Sequence, residues 1–117
     1  LAVRERVLGP EHPSTLATRH NLARWMGEAG DVDGARDLLA QVLAIEERVL
    51  GPEHPDTLTT RHNLASWMGE AGDVAGARAL LAQVLAVRER VLGPEHPSTL
   101  TTRKSLLYWT KRTNESG

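Results

Sequence analysis

The sequence predicts an all-α fold in which helical hairpins stack into a solenoid, and three observations support this prediction. Residues 8–49 and 50–91 are two copies of a 42-residue unit that differ at only seven positions. Each copy contains two amphipathic stripes with helical spacing, and such periods are typical of repeat proteins whose units bury their apolar faces against one another. Aromatic residues make up 3% of the chain and Phe is absent. The core must therefore be built from Leu, Val, Ala and Trp, which suits helix packing better than sheets.

The repeat also predicts how the chain is organised. A third copy follows the first two, and Trp25, Trp67 and Trp109 keep the 42-residue spacing. Residues 1–7 are identical to residues 85–91, so we interpret the chain as a fragment of a single array that starts inside a repeat. Its segments are the end of a second helix at 1–7, complete repeats at 8–49 and 50–91, the first helix of a partial repeat at 92–109, and a divergent tail at 110–117.

The first element of each unit, helix A, is predicted from Pro13 to Ala29 in the first repeat. Pro13 suits the first helical position because its missing N–H would have no partner within the helix, and His12 or Ser14 can cap this end. Gly30 then ends the helix, since glycine tolerates a left-handed conformation. The apolar stripe recurs at spacings of three and four and consists of Leu16, Leu22, Ala23, Met26 and Ala29.

The second element, helix B, is predicted to start behind Asp31 as its N-cap and to stop at Gly51 and Pro52. The turn between the two helices is short, so they must pack antiparallel as a helical hairpin. A Gly-Pro-Glu-His-Pro linker then joins one hairpin to the next. The apolar stripe of helix B comprises Val32, Ala35, Leu38, Leu39, Val42, Leu43, Ile45 and Val49.

Composition argues against several classes of function. The formal net charge is −1 at pH 7, which disfavours the basic face of a nucleic-acid-binding protein. The longest apolar stretch, Leu38 to Ile45, is far shorter than the roughly 20 residues that cross a bilayer, so no membrane partner is expected. The chain has no Cys, which fits a reducing compartment, and we expect a cytoplasmic location.

The segment from Asn21 to Leu39 resembles a tetratricopeptide repeat. It carries that family's large and small apolar pair at Leu22-Ala23, its Gly-Asp turn at Gly30-Asp31 and its small helix B residue at Ala35. The 42-residue period with an L-G-x-x-H-P linker is similar to the variant found in kinesin light chains and in arrays of large bacterial signalling proteins. The resemblance implies a right-handed superhelix of antiparallel helix pairs. It also implies a non-catalytic protein-interaction scaffold within a larger bacterial signalling protein.

Two residue patterns could indicate a metal site or a catalytic pair, but a structural role is favoured for both. The linker histidines His12, His54 and His96 recur, yet residues one repeat apart are separated by roughly 10 Å, whereas zinc needs several ligands within about 2 Å of one point. Glu28 and Asp31 could be paired carboxylates, but they bracket the turn where an Asp cap is expected. We therefore expect no metal site, no cofactor and no enzymatic activity.

The substitutions between the two copies predict which positions are exposed. Six of the seven fall at polar or small positions, and these six are expected at the surface, including Glu46 and its counterpart Arg88. Trp25 and Trp67 lie next to the apolar stripe, so we interpret them as packing between hairpins rather than as an aromatic binding platform.

The resemblance also nominates a peptide-binding face on the A helices. In that family the Asn before Leu-Ala contacts the backbone of an extended peptide, and Asn21 and Asn63 stand at this position. The helix A segments carry seven basic and four acidic residues, so a weakly cationic groove would favour an acidic peptide or a free C-terminal carboxylate. The alternative is a solvated polar surface without a ligand. The candidate peptide-binding residues are Ala17, His20, Asn21 and Arg24, then Thr59, His62, Asn63 and Ser66, and finally Thr101, Lys104, Ser105 and Tyr108.

The partial third repeat predicts self-association. A helix A without a following helix B leaves an apolar face open, and each large side chain so exposed loses roughly 1.5–3 kcal/mol of burial. Open repeat ends can stack end to end or pair about a twofold axis, which would give a homo-oligomer. The rival function is therefore a structural module that assembles without a groove ligand. The candidate self-association residues are Leu100, Leu106, Leu107 and Trp109.

Overall fold

The computed structural model describes residues 13–116, and these residues form five α-helices. The predicted all-α class is thereby confirmed. The predictions for residues 1–7 and His12 lie outside the described residues. No helix between residues 13 and 116 has an apolar stretch long enough to cross a membrane. In chain order the helices are α1 Pro13–Glu28, α2 Val32–Val49, α3 Pro55–Glu70, α4 Val74–Val91 and α5 Pro97–Ser116. The A helices are α1, α3 and α5, and the B helices are α2 and α4.

The Gly-Asp turn between helices A and B forms as the sequence predicts. Gly30 has a φ of 102°, a left-handed conformation that favours glycine, and no atom lies within 4 Å of the position of an added Cβ. Backbone conformation rather than space therefore requires glycine here. The Asp31 side chain then accepts a hydrogen bond from the Gly34 N–H at 3.0 Å, which confirms Asp31 as the N-cap of α2.

The linker histidines cap the A helices that follow them. His54 Nδ1 accepts a hydrogen bond from the Asp56 N–H at 3.1 Å, and His96 Nδ1 accepts one from the Ser98 N–H at 3.1 Å. Each bond satisfies a backbone donor that the first turn of a helix leaves without an intrahelical partner. The recurrence of His in the linker is therefore explained by helix capping.

The chain divides into two compact units, residues 1–60 and 61–117, with the boundary inside α3. In the described part of unit 1, α1 packs against α2. Ala23 and Ala35 are both fully buried, and such small residues let two helix backbones approach closely. The other buried apolar residues of the two helices are Leu16, Leu39 and Val42.

Unit 2 contains the end of α3 together with α4 and α5, and its core lies around Trp109. The Trp109 side chain is 3% exposed and clusters with Ala65, Ala77 and Leu81. A Cβ added to Gly69 would lie 2.6 Å from Cε2 of the Trp109 ring. The indole therefore rests directly on the backbone of α3, and only glycine leaves room for it. Around this cluster pack Met68, Val74, Leu80 and Leu106.

The divergent residues 110–116 continue α5, which runs for 20 residues to Ser116. In α1 and α3 the helix ends just before a glycine with positive φ, at Gly30 and Gly72. The third copy has Asn114 at the corresponding position, and there the chain stays helical. Helix α5 therefore continues past residue 109, and the glycine found after α1 and α3 is absent from it.

The three tryptophans differ in burial although they share one repeat position. Trp25 is 66% exposed, so its predicted packing between hairpins is wrong, whereas Trp67 is half-buried. Trp109 rests on Gly69 of the preceding A helix. Trp25 lies on α1, and no A helix precedes α1 within residues 13–116. The burial of this tryptophan therefore depends on the neighbouring helix and not on the repeat sequence.

Candidate functional site

The predicted face of α1 is open to solvent. Ala17, Asn21 and Arg24 are exposed and His20 is half-buried, as expected for residues that lie about one helical turn apart on one side. Arg24 Nε donates to Glu28 Oε1 at 3.0 Å, an ion pair one turn apart with both side chains largely exposed. Pairs of this kind contribute about 0.3–0.5 kcal/mol. Glu28 therefore pairs with Arg24, while Asp31 caps α2.

A pocket of about 420 Å³ opens beside this face within unit 1. It includes four of the predicted peptide-binding residues, Ala17, His20, Asn21 and Thr59. Sequence reasoning missed the contributions of helix B and the linker and part of those of the first six residues of α3. One signal was available, because Glu46/Arg88 is the substitution between the copies that reverses a charge. The lining residues absent from the prediction are Leu16, Glu46, Val49, Leu50, His54, Asp56 and Thr60.

Glu46 is the unusual residue of this pocket. It was predicted to be exposed, but it is 6% exposed, because its helical position turns it toward α3 rather than solvent. Its carboxylate accepts a hydrogen bond from Thr60, while Oε1 has no hydrogen-bond partner. Burial raises the pKa of Glu46; the Thr60 hydrogen bond and His54 oppose that shift, and the carboxylate of Asp56 adds to it. The pocket therefore holds a carboxylate whose charged form is poorly stabilised by the protein alone.

His20 lies in the same pocket. Burial lowers the pKa of His20, and the nearby carboxylate of Asp56 partly opposes this shift. The neutral imidazole is therefore favoured in this pocket. Within residues 13–116, no three His, Asp or Glu side chains are grouped so that they could hold a metal ion.

The corresponding residues of α3, in unit 2, are less exposed than those of α1 and hydrogen-bond to one another. His62, Asn63 and Ser66 are all half-buried. Asn63 hydrogen-bonds the side chain of His62, and Ser66 Oγ donates to the backbone carbonyl of His62 at 3.4 Å. Burial lowers the pKa of His62, the charge of Arg88 lowers it further, and the Asn63 hydrogen bond opposes both. A ligand would have to displace some of these contacts to use this face.

The predicted face of α5 carries cations and one oriented aromatic ring. Thr101, Lys104 and Tyr108 are exposed, and Ser105 is half-buried. Arg112 Nη1 donates to the Tyr108 hydroxyl at 3.0 Å, and the Arg112 guanidinium lies 5.3 Å from the centre of the Tyr108 ring. A cation at this distance is attracted to the ring face by about 0.5–1 kcal/mol at an exposed site. Tyr108 is therefore held in place while about half of it faces solvent.

Arg88 is the counterpart of Glu46 in unit 2, and it too is buried rather than exposed, at 8%. Its Nη1 donates to Thr102 Oγ1 at 2.7 Å and to the Ser98 carbonyl at 3.4 Å. Burial lowers the pKa of Arg88. The two units therefore place opposite charges at one repeat position, so the expectation of a cationic groove, which considered the A helices alone, does not describe the pocket of unit 1.

A helix A, a Gly-Asp turn, a helix B and a His-Pro linker, repeated along the chain, define an α-helical repeat protein. The sequence matches the model of the tetratricopeptide repeat over residues 1–47 and 26–90. The chain belongs to the tetratricopeptide repeat family. A comparison with curated proteins found no match.

Solved structures show the same arrangement of helices. The nearly identical TPR-like repeats of a kinesin light chain-like protein from Podosopora anserina match with a TM-score of 0.90 and 39% identity, over 97% of this chain and 54% of that one. A single-substitution variant of those repeats matches with a TM-score of 0.86 and 41% identity, over 92% and 51%. BtubC (BKLC) from P. vanneervenii, at 18% identity and a TM-score of 0.85 over 97% and 45%, shows the fold alone. The chain spans about half the length of these structures.

Proposed function

We propose that the chain is a non-catalytic scaffold that binds a segment of a protein partner on the exposed faces of its A helices. Members of the tetratricopeptide repeat family are generally protein-interaction scaffolds. The observation that carries the proposal for this chain is the exposed α1 face, where Asn21 lies at the rim of the pocket in unit 1. An amide at this place can hydrogen-bond the backbone of an extended segment. The finer context, a larger bacterial signalling protein, is supported by the linker resemblance.

Replacing both Asn21 and Asn63 by alanine is expected to weaken binding of short peptides selected from a random library by about tenfold, since each lost hydrogen bond contributes roughly 0.5–1.5 kcal/mol. The measurement is isothermal titration calorimetry. The matched control replaces Gln41 and Gln83, two exposed amides on the B helices, and should leave the affinity unchanged. Equal losses in both variants, or no selectable peptide, would contradict the proposal.

A second candidate function is self-association through α5, and a comparison of equivalent positions favours it. Leu58 is 4% exposed, whereas Leu100, one repeat later, is 36% exposed. Ala65 is fully buried, whereas its counterpart Leu107 is 62% exposed. Apolar surface of this kind is commonly covered by another protein surface.

Two of the four predicted self-association residues do not lie on this exposed face of α5. Trp109 is 3% exposed and Leu106 packs against the same core, because the helix turns both side chains toward α4. A polar substitution at either position would disturb the fold rather than an interface. Leu100 and Leu107 therefore remain the candidates for an intermolecular contact.

Replacing Leu107 by aspartate is expected to abolish self-association and leave a particle of 12.8 kDa, because a charge would be buried in an apolar contact. Light scattering after size exclusion at a low and a high concentration measures the mass. The control replaces Lys111, an exposed residue of α5, by aspartate and should assemble as the parent chain does. A parent chain that stays at the monomer mass at high concentration would rule out this second function.

A further inference from the structure

Glu46 is a buried carboxylate with little compensation from the described residues around it. It lines the pocket of unit 1, is 6% exposed, and has an oxygen without a hydrogen-bond partner. A buried carboxylate is costly unless an opposite charge or further hydrogen bonds compensate it. Neither Lys nor Arg is among the described residues that line the pocket. The described lining of the pocket therefore favours a cationic ligand beside Glu46.

Unit 2 carries a cation at the repeat position that Glu46 occupies in unit 1. Arg88 replaces Glu46 there, and its guanidinium donates to Thr102, the counterpart of Thr60, at 2.7 Å. In unit 1 Thr60 instead hydrogen-bonds the carboxylate of Glu46. Unit 2 therefore supplies its own guanidinium at this position, whereas unit 1 supplies the complementary carboxylate.

The lining of the pocket matches the two parts of an arginine side chain. Leu16, Val49 and Leu50 provide apolar surface, and Glu46 and Asp56 provide carboxylates. Arginine combines an apolar stem with a planar cation that binds carboxylates through several N–H groups. The volume of about 420 Å³ lies at the lower end of the roughly 300–1,000 Å³ of ligand pockets. Such a space suits one long side chain better than a folded segment.

We propose that the pocket of unit 1 binds an arginine side chain of the protein partner, with its guanidinium between the carboxylates of Glu46 and Asp56. The methylene stem lies along Val49 and Leu50. The inference rests on the proposed function, because it specifies the chemistry of a segment bound on the same face. The charge of the A helices predicts an acidic partner segment, whereas this pocket is proposed to bind a basic one.

The test is an NMR titration of the full chain with small probes. N-acetyl-arginine methylamide should shift the backbone amide signals of Ala17, Asn21 and Thr59 in a saturable way. N-acetyl-norleucine methylamide, which keeps the apolar stem and lacks the cation, should bind at least about tenfold more weakly, since hydrogen bonds to charged groups are worth more than neutral ones. N-acetyl-glutamate methylamide should produce no saturable shifts.

Two variants of Glu46 assign the effect to its carboxylate. Glu46→Gln should weaken binding of the arginine probe by about tenfold or more, whereas the adjacent and exposed Glu47→Gln should leave it unchanged. Glu46→Arg places the residue of unit 2 into unit 1 and should abolish binding. The natural Arg88 shows that this position accepts an arginine, and a thermal melt verifies that each variant is folded.

Several results would overturn the inference. Equal binding of the norleucine and arginine probes would show that the pocket recognises apolar stems alone. Saturable binding of the glutamate probe, or an arginine response that survives Glu46→Gln, would show that the carboxylate does not select the ligand. Selected peptides that depend on Asn21 and Asn63 but lack basic residues would support the proposed function and refute the arginine pocket. Binding of the arginine probe without any selectable peptide would support the arginine pocket and refute the proposed function.

Discussion

Replacing Trp109 by alanine is expected to lower the free energy of unfolding by about 3–5 kcal/mol, the usual cost of removing a buried large aromatic side chain. The ring is 3% exposed and packs against two neighbouring helices of unit 2, against Gly69 of α3 and against Ala77 and Leu81 of α4. Alanine would leave a cavity that the rigid helix backbones around it cannot fill by moving. A domain of this size has roughly 5–15 kcal/mol of stability in total. The measurement is urea unfolding followed by far-UV circular dichroism.

Trp25 provides a matched control for this prediction. It occupies the same repeat position as Trp109 but is 66% exposed, so its replacement by alanine should change the free energy of unfolding by less than about 0.5 kcal/mol. Similar losses for the two variants would mean that the environments of these tryptophans do not differ as the structure shows.

Replacing Gly69 by alanine is expected to lower the free energy of unfolding by about 1–3 kcal/mol, although alanine is the better helix former by about 1 kcal/mol. The added Cβ would lie 2.6 Å from the indole Cε2, and two further ring atoms are also in conflict with it. Trp109 cannot yield easily, because its ring is rigid and closely packed in the core. Overpacking therefore outweighs helix propensity at this position.

The sign of the Gly69 effect should reverse when the ring is absent. In a Trp109→Leu background, which keeps an apolar side chain in the core, Gly69→Ala should be neutral or stabilising by up to about 1 kcal/mol. Urea unfolding of the parent chain, the two single variants and the double variant completes a double-mutant cycle. Additive effects would show that the contact between Gly69 and Trp109 does not limit the substitution.

The candidate binding site was only partly accessible to sequence reasoning. Sequence reasoning nominated Ala17, His20 and Asn21 because they follow helical spacing on one helix and match a family pattern. Glu46 was missed because a charged residue that varies between copies is normally exposed. Its role depends on Thr60 and Asp56 of the next helix A, which approach it only when the helices pack. A pocket lined by several helices and a linker cannot be predicted from the residue pattern of a single helix.

The helices and their turns follow from the local sequence of each repeat. Apolar spacing, the Asp31 cap and the left-handed Gly30 act over a few residues, and such local interactions are the same in every copy of the repeat. Only the tertiary structure decided which equivalent residues are buried, since Trp109 is covered and Trp25 is not. The physical reason is that burial depends on what lies opposite a side chain, and copies with nearly identical sequences meet different neighbours along the array.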